Sequence, residues 1–255
     1  MLHSEVTGDG LPVVLIHGYG EDLSLWKELT STLSKKNKII AVDLPGFGKS
    51  LPIEAPFTLF DVADIVHDHV TQSLGIEQFV TLGHSLGGYI CLALAKSYPQ
   101  SVLTFGLINS TSFADTEEKK ANRLKTIDFI NKHGASFFLR SFVPNLFTPE
   151  NQIKHTKDLL RVLEMGNNIP NSVLTSYMSA MRNRPNLSYL LSSQENILLV
   201  AGLLDPHFLY KDIMLEMKLL KQFKNGHGFD GVAHMSMIEA RTELEIVIAN
   251  FLDSI

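Results

Sequence analysis

Ser85, Asp205 and His234 are three residues whose types and order along the chain could turn an alcohol into a nucleophile. A serine hydroxyl is a weak nucleophile until a base removes its proton. The base in turn needs a carboxylate that fixes its tautomer and stabilises the imidazolium. Ser85 stands in Gly83-His84-Ser85-Leu86-Gly87, between the apolar run 79–82 and an apolar helix face over 89–96. That strand–turn–helix setting makes a G-x-S-x-G pattern a nucleophile elbow, which lifts the hydroxyl clear of the sheet edge. Gly83 and Gly87 lack Cβ atoms, so strand and helix can pass close to each other there.

On such an elbow the partners follow in the order acid, then histidine. Asp205 comes a short turn after the apolar run 197–202. Aspartate in a turn also serves local hydrogen bonding, and it is the strand before Asp205 that selects it. His234, in Val232-Ala233-His234-Met235-Ser236, immediately precedes the last predicted helix and is the expected base. His227, in Asn225-Gly226-His227-Gly228, is its competitor. Among the other histidines, His207 is placed to line a pocket beside Asp205, and His84 to pack or hydrogen-bond beneath the elbow. His67 and His69 fall on different faces of one helix, which argues against a metal site. His3, His133 and His155 read as surface residues.

An oxyanion hole needs two preorganised N–H groups aimed where negative charge develops. The Leu86 amide, first of the helix after the nucleophile, is one candidate. The Tyr19 amide, in the turn His17-Gly18-Tyr19-Gly20 after the apolar run 13–16, is the second. Gly46-x-Gly48 before Lys49-Ser50 glances at a phosphate-binding loop. The spacing fails because position 43 is Asp, and the segment reads as a structural turn.

These residues must be positioned by elements, and the elements are legible. Apolar β-branched runs at 13–16, 39–42, 79–82 and 102–108 alternate with helical spacing at 22–35, 58–70 and 86–96. Thr58 with Asp61 three residues later resembles a capping box at the start of its helix. Alternation of this kind predicts an α/β fold, a mostly parallel sheet with helices on both faces. The strand pattern restarts at 197–201, followed by helices at 208–222 and 238–252.

Residues 112–195 break the alternation, with helices expected at 116–132, 135–142, 149–165 and 172–181. Thr148 before Pro149 supplies a cap oxygen and then proline at the first helical position. The expected division is a core of 1–111 and 196–255 with 112–195 as an inserted helical cap, or lid. Such an insertion would sit over the strands' carboxyl ends, where open α/β sheets bind ligands. It holds 11 Lys and Arg against 8 Asp and Glu, a balance that fits a solvated helix surface. Phe137, Phe138, Phe142, Tyr177 and Met178 could form an apolar acyl pocket there, or equally the lid's own core.

The bulk composition narrows the classes. A chain of 255 residues with 45% hydrophobic and 19% charged residues is ordinary for a globular protein with an ample core. A net charge of −5 without single-sign runs leaves no electrostatic footprint for nucleic acid. The single cysteine, Cys91, forms no intramolecular disulfide and reads as a buried packing residue. No run approaches the roughly 20 apolar residues that span a bilayer, and the first residues lack a signal-peptide pattern. The expected setting is the cytoplasm.

Taken together, His17-Gly18 with Trp26, the segment 43–50, the Ser85 elbow, Gly202-x-x-Asp205 and His234 resemble the α/β-hydrolase family over essentially the whole chain. The resemblance implies a largely parallel sheet, a helical cap, no cofactor, and hydrolysis through a covalent acyl-enzyme. Two departures stand out. The segment before Val13 leaves little room for the family's N-terminal antiparallel hairpin, and the strand expected before His234 is instead the polar, glycine-rich segment 225–231.

The expected function is a serine hydrolase acting on a small to medium carboxylic ester, with small-molecule substrates as its partners and no metal. Few charges are obviously committed to the pocket, which disfavours a peptidase that must hold a free amino terminus. The same triad acting on a thioester, lactone or carbon–carbon bond is the alternative, as is a ligand-binding protein without turnover. Dehalogenation is disfavoured because the resemblance there calls for Asp where Ser85 stands. Fold alone does not choose among these.

Overall fold

A computed structural model describes residues 2–255. Strands β1 (Ser4–Thr7), β2 (Leu11–Ile16), β3 (Asn37–Val42), β4 (Phe79–His84), β5 (Val102–Ile108), β6 (Leu198–Gly202) and β7 (Gly226–Phe229) form one sheet. Its order is β1-β3-β2-β4-β5-β6-β7, with β1 antiparallel to β3 and every other pair parallel. The inner strands read as continuous apolar runs because both of their faces are covered. Val13 to Ile16 have no exposed surface at all.

Helix α1 (Lys27–Leu33) follows a 3-10 turn after β2, and α2 (Leu59–Asp68) opens on the expected capping box. The Asp61 amide donates to Thr58 Oγ1 at 3.3 Å, and the Thr58 amide donates to the Asp61 carboxylate at 2.7 Å. Helix α3 (Leu86–Ser97) is buried from Leu86 through Ala95. Cys91 lies within it, and burial pushes its thiol up to about 12. It packs as expected.

Between β5 and β6 the chain adds helices only, among the described residues: α4 (Glu117–His133), α5 (Ala135–Phe142), α6 (Pro149–Lys154), α7 (Thr156–Met165) and α8 (Asn171–Arg182), with two short 3-10 turns. The single helix expected over 149–165 is broken at His155, whose backbone leaves helical geometry at φ −110° and ψ 31°. There the Thr156 hydroxyl donates back to the Gln152 and Ile153 carbonyls, a local bond that competes with the helix ladder. This helical segment meets the sheet's loops directly. The Tyr19 hydroxyl donates to the Leu174 carbonyl at 3.0 Å, and the Tyr177 hydroxyl to the Pro45 carbonyl at 3.1 Å.

After β6 come α9 (Tyr210–Met217), β7, α10 (Ser236–Glu239) and α11 (Arg241–Leu252). The polar segment before His234 does form a strand: β7 pairs with β6 from Leu199↔Gly226 to Gly202↔Phe229. As an edge strand it is set by backbone pairing, with little apolar patterning required. The N-terminal departure resolves as one antiparallel edge strand. Its pairing brings His3 onto Asp43, Nδ1 to Oδ2 at 2.8 Å, so His3 is a partly buried contact rather than a free surface residue. His155 is likewise half-buried beside Asp158.

Chain order reverses between β2 and β4, which makes that pair the sheet's switch point. Crevices at such points are where open α/β sheets take ligands. Ile16 pairs with Gly83, His84 with Ile108, and Ile108 with Val200. The residues just past these strand ends, Tyr19, Ser85, Asn109 and Asp205, therefore share one edge.

Candidate active site

The turn from β4 into α3 rests on Ser85, at φ 50° and ψ −110°. A residue with a Cβ held in a sparsely populated backbone region costs about 1–3 kcal/mol, so its surroundings must over-determine it. They do. The Ser85 amide donates to the Ile108 carbonyl at 3.0 Å, and its own carbonyl accepts from the Gly88 amide and from Ser110 Oγ at 2.7 Å. A Cβ on Gly83 would lie 2.2 Å from the Gly87 carbonyl carbon, and one on Gly87 would lie 2.2 Å from the Ile16 oxygen. Both glycines are required by close backbone approach.

Asp205 and His234 come together in full burial. His234 Nδ1 lies 2.7 Å from Asp205 Oδ2, across 29 residues of sequence. Asp205 also accepts from the His207 amide at 2.8 Å and from Asn109 Nδ2 at 3.2 Å. Burial alone would raise this carboxyl. The charge and hydrogen bond of His234, with the His207 amide, outweigh it and hold the group below the usual carboxylate range. His234 Nε2 takes no protein partner among the described residues, and it is not hydrogen-bonded to Ser85 here. Such contacts are often long before substrate binds.

Two further carboxylates, neither singled out from sequence, hold the loops around these groups. Glu21 Oε2 accepts from the Gly18 amide at 2.6 Å and pairs with His84 Nδ1 at 2.9 Å. The other nitrogen of His84 reaches the His234 carbonyl oxygen at 3.0 Å. Burial opposes charge on both partners. Their mutual attraction prevails, lowering the Glu21 carboxyl and raising the His84 imidazole. Glu239 brackets His234 by accepting from the Ala233 and Met235 amides at 2.9 and 3.2 Å. Its second oxygen accepts from the Thr148 amide and from Asn151 Nδ2.

The Leu86 amide opens α3, so helix geometry gives it no intrahelical acceptor. The Tyr19 amide has no acceptor among the described residues. His207 packs its ring 4.9 Å from that of His234, and Phe142 packs on His207 at 5.6 Å. Burial, then the neighbouring positive charges, push the His207 imidazole down to about 3, so it is neutral at ordinary pH. Phe138 stacks on Phe142 at 5.1 Å, and both rings meet Tyr19 edge-on. Met178 is buried.

Two expected pocket residues lie elsewhere. Phe137 is 58% exposed and sits beside Phe129 and His133 on the outer face of its helix, so it lines no pocket. Tyr177 is fully buried against Phe47 and Phe57, where it joins the helical segment to the loop after β3. His227 lies within β7, and it is His234 that pairs with Asp205. No cluster of three or more His, Cys, Asp or Glu suited to a metal ion occurs among the described residues.

A sequence model of the alpha/beta hydrolase fold matches residues 12–240. The chain belongs to the alpha/beta hydrolase family. Among solved structures, a thermophilic esterase from Thermogutta terrifontis superposes with a TM-score of 0.91 and 25% identity, covering 99% of this chain and 93% of that one. The enol-lactonase from Burkholderia xenovorans LB400 superposes with a TM-score of 0.87 at 20% identity, over 99% and 96%, which shows the shared fold alone. Among curated proteins, a putative carbamate hydrolase, RutD, of Yersinia enterocolitica is 32% identical over 55% of this chain and 51% of its own. A dihydrolipoyllysine-residue acetyltransferase component of an acetoin cleaving system from Cupriavidus necator is 37% identical over 42% of this chain and 29% of its own. The alignments thus span about half of the first of these two and under a third of the second. No helix of this family member is long and apolar enough to cross a membrane, among the described residues.

Proposed function

We propose that the protein is a serine hydrolase of small to medium carboxylic esters, with Ser85 as nucleophile, His234 as base and Asp205 as the acid that orients it. The observation that carries this reading is the buried 2.7 Å contact of Asp205 with His234, on the sheet edge where Ser85 is held in a strained turn. The likeness to the Thermogutta esterase supports the ester class.

In this mechanism His234 Nε2 takes the Ser85 proton as Oγ attacks the ester carbonyl. The tetrahedral oxyanion is stabilised by the Tyr19 and Leu86 amides, whose N–H groups have no other acceptor among the described residues. His234 then returns the proton to the departing alcohol. Water, deprotonated by the same imidazole, attacks the acyl-enzyme and frees the acid. Residues 112–195 act as the cap, and Phe138, Phe142 and Met178 supply apolar walls for the acyl chain.

A fluorophosphonate probe tests the reading. Covalent labelling of Ser85, located by peptide mass, and its loss in Ser85→Ala are the expected results. Absence of labelling in the folded wild-type protein would favour a binding protein without turnover.

A further inference from the structure

The cap carries more positive charge toward the site than its own carboxylates balance. Asp115, Lys119 and Arg123 follow one another at intervals of four along and just before α4, which places them on one side of the helix. Asp115 is claimed twice, by Arg123 Nε and by Arg184 Nη1, the latter at 2.7 Å. Arg184 is otherwise engaged with the Met181 and Phe113 carbonyls, and its guanidinium lies 4.0 Å over the Tyr89 ring. Glu216, the nearby buried carboxyl, is turned to Thr111 and Ser112. Asp115 is therefore the one carboxylate in contact with these cations among the described residues, and Asp212 acts on Lys119 from farther away.

Lys119 is left without a paired carboxylate, and Arg123 with one nitrogen turned away from Asp115. Arg123 reaches Asp115 through Nε and, at 3.5 Å, through Nη2, while its Nη1 meets the thioether sulfurs of Met178 and Met181 at 3.3 and 3.5 Å and no oxygen acceptor among the described residues. Thioethers are weak acceptors, and a charged donor without a better one is costly to bury. Lys119 makes a single hydrogen bond, to the His207 carbonyl at 3.0 Å, and has no carboxylate in contact among the described residues. Its ammonium also stands 5.4 Å from the Phe208 ring. The rings of His207 and Phe208 are 4.9 and 5.7 Å from that of His234. One layer of side chains separates the Lys119 ammonium from the proposed base.

We propose that Lys119 and Arg123 form a carboxylate subsite, so that the preferred ester carries an anionic carboxylate at the far end of its acyl chain. The proposal rests on the serine-hydrolase reading above. The charges of both residues act on His207, and that of Arg123 reaches the Tyr19 hydroxyl, so the field of the pair extends into the space beside the elbow. An ion-pair network that merely fastens the cap accounts for Asp115, Arg123 and Arg184. It leaves Lys119 unexplained, and Lys119 is the cation of the three that touches His207 and Phe208, the two residues whose rings pack on His234.

Monomethyl adipate and methyl hexanoate have acyl chains of equal length and differ in the terminal carboxylate. The wild-type kcat/KM ratio should favour the adipate ester. Lys119→Met and Arg123→Met should each lower that ratio about 10-fold or more, the loss expected for one charge-assisted hydrogen bond. A ratio is insensitive to the fraction of enzyme that folds. If Arg123→Met yields no soluble protein, Lys119→Met and Lys119→Glu carry the test, the latter with the larger loss. Calorimetric titration of adipate into the wild-type and variant proteins reads the subsite without turnover, and binding should weaken in the variants.

A wild-type ratio near one, or a ratio unchanged by either Lys119 variant, would overturn the subsite while hydrolysis and fluorophosphonate labelling leave the parent reading intact. If neither ester is hydrolysed and no labelling occurs, the parent reading fails. The adipate titration then decides the subsite alone: binding lost in the variants supports it, and no binding to the wild type ends it.

Discussion

His84 holds the main chain of His234: its Nε2 lies 3.0 Å from the His234 carbonyl oxygen, while its Nδ1 pairs with Glu21 at 2.9 Å. Only an imidazolium donates from both ring nitrogens; a neutral ring has one N–H for two acceptors. Glu21 therefore keeps His84 in the form that grips the His234 loop. The same carboxylate oxygen holds the Gly18 amide, next to Tyr19. One buried pair ties the proposed oxyanion turn to the proposed base.

Glu21→Gln should consequently cost both stability and turnover. Removing one partner of a buried pair leaves the other charge uncompensated, a loss of about 3 kcal/mol or more. The pH dependence has a definite sign. The lowered Glu21 carboxyl contributes stability above its ordinary value near 4.5, lost as pH falls through its lowered value. The raised His84 imidazole contributes below its ordinary 6.5, lost as pH rises through its raised value. Thermal melts should show the largest gap between wild type and variant between those two ordinary values, narrowing on either side. A gap that does not change with pH would remove the ion pair from the account.

Asp205→Asn should lower kcat about 10⁴-fold through loss of the correct His234 tautomer. The amide can still occupy the position, which has donors from the His207 amide and Asn109 around it. Steady-state kinetics beside a melting curve separate the two effects. A change in melting temperature with kcat intact would assign Asp205 a structural role only.

Acid should unfold the wild-type protein below the ordinary carboxylate range. Asp205, Glu21 and Asp115 are all held low, the last by Arg123 and Arg184 against the effect of burial. Each stabilises the fold above its ordinary value and loses that contribution as pH falls through the lowered one. Circular dichroism against pH should place the transition later in acid for the wild type than for Glu21→Gln. The reverse order would contradict the assignment.

Gly87→Ala should abolish the elbow, because the added methyl would lie 2.2 Å from the main-chain oxygen of Ile16. No side-chain rotation relieves a clash with backbone. The variant should be insoluble or melt far below wild type, and a normal melt with full activity would mean that β2 and α3 can separate.

The elements were legible as apolar runs, and the three candidate groups stand out because each punctuates a pattern: Ser85 ends one run, Asp205 follows another, and His234 precedes the last helical pattern. Glu21, Asn109 and Glu239 were not, because their partners are chiefly main-chain amides and carbonyls brought near by folding. Nothing local marks a glutamate that will accept from residue 18 and face residue 84. Phe137 was misplaced for a related reason. Phe137 and Phe138 are adjacent, yet a helix turns about 100° between them. Phe138 and Phe142, four apart, share the inner face, while Phe137 continues the outer row of Phe129 and His133. Sequence spacing gave the two rows without saying which faced the sheet. The strand β7 was obscured because pairing at the sheet edge, rather than apolar content, defines it.

The most direct measurement is kcat for an activated ester in Ser85→Ala, with the variant's melt confirming a native fold. Removing a triad nucleophile costs on the order of 10⁶ in kcat, and a fall of that scale is the predicted result. A folded Ser85→Ala protein that retains most of the wild-type rate would contradict the account.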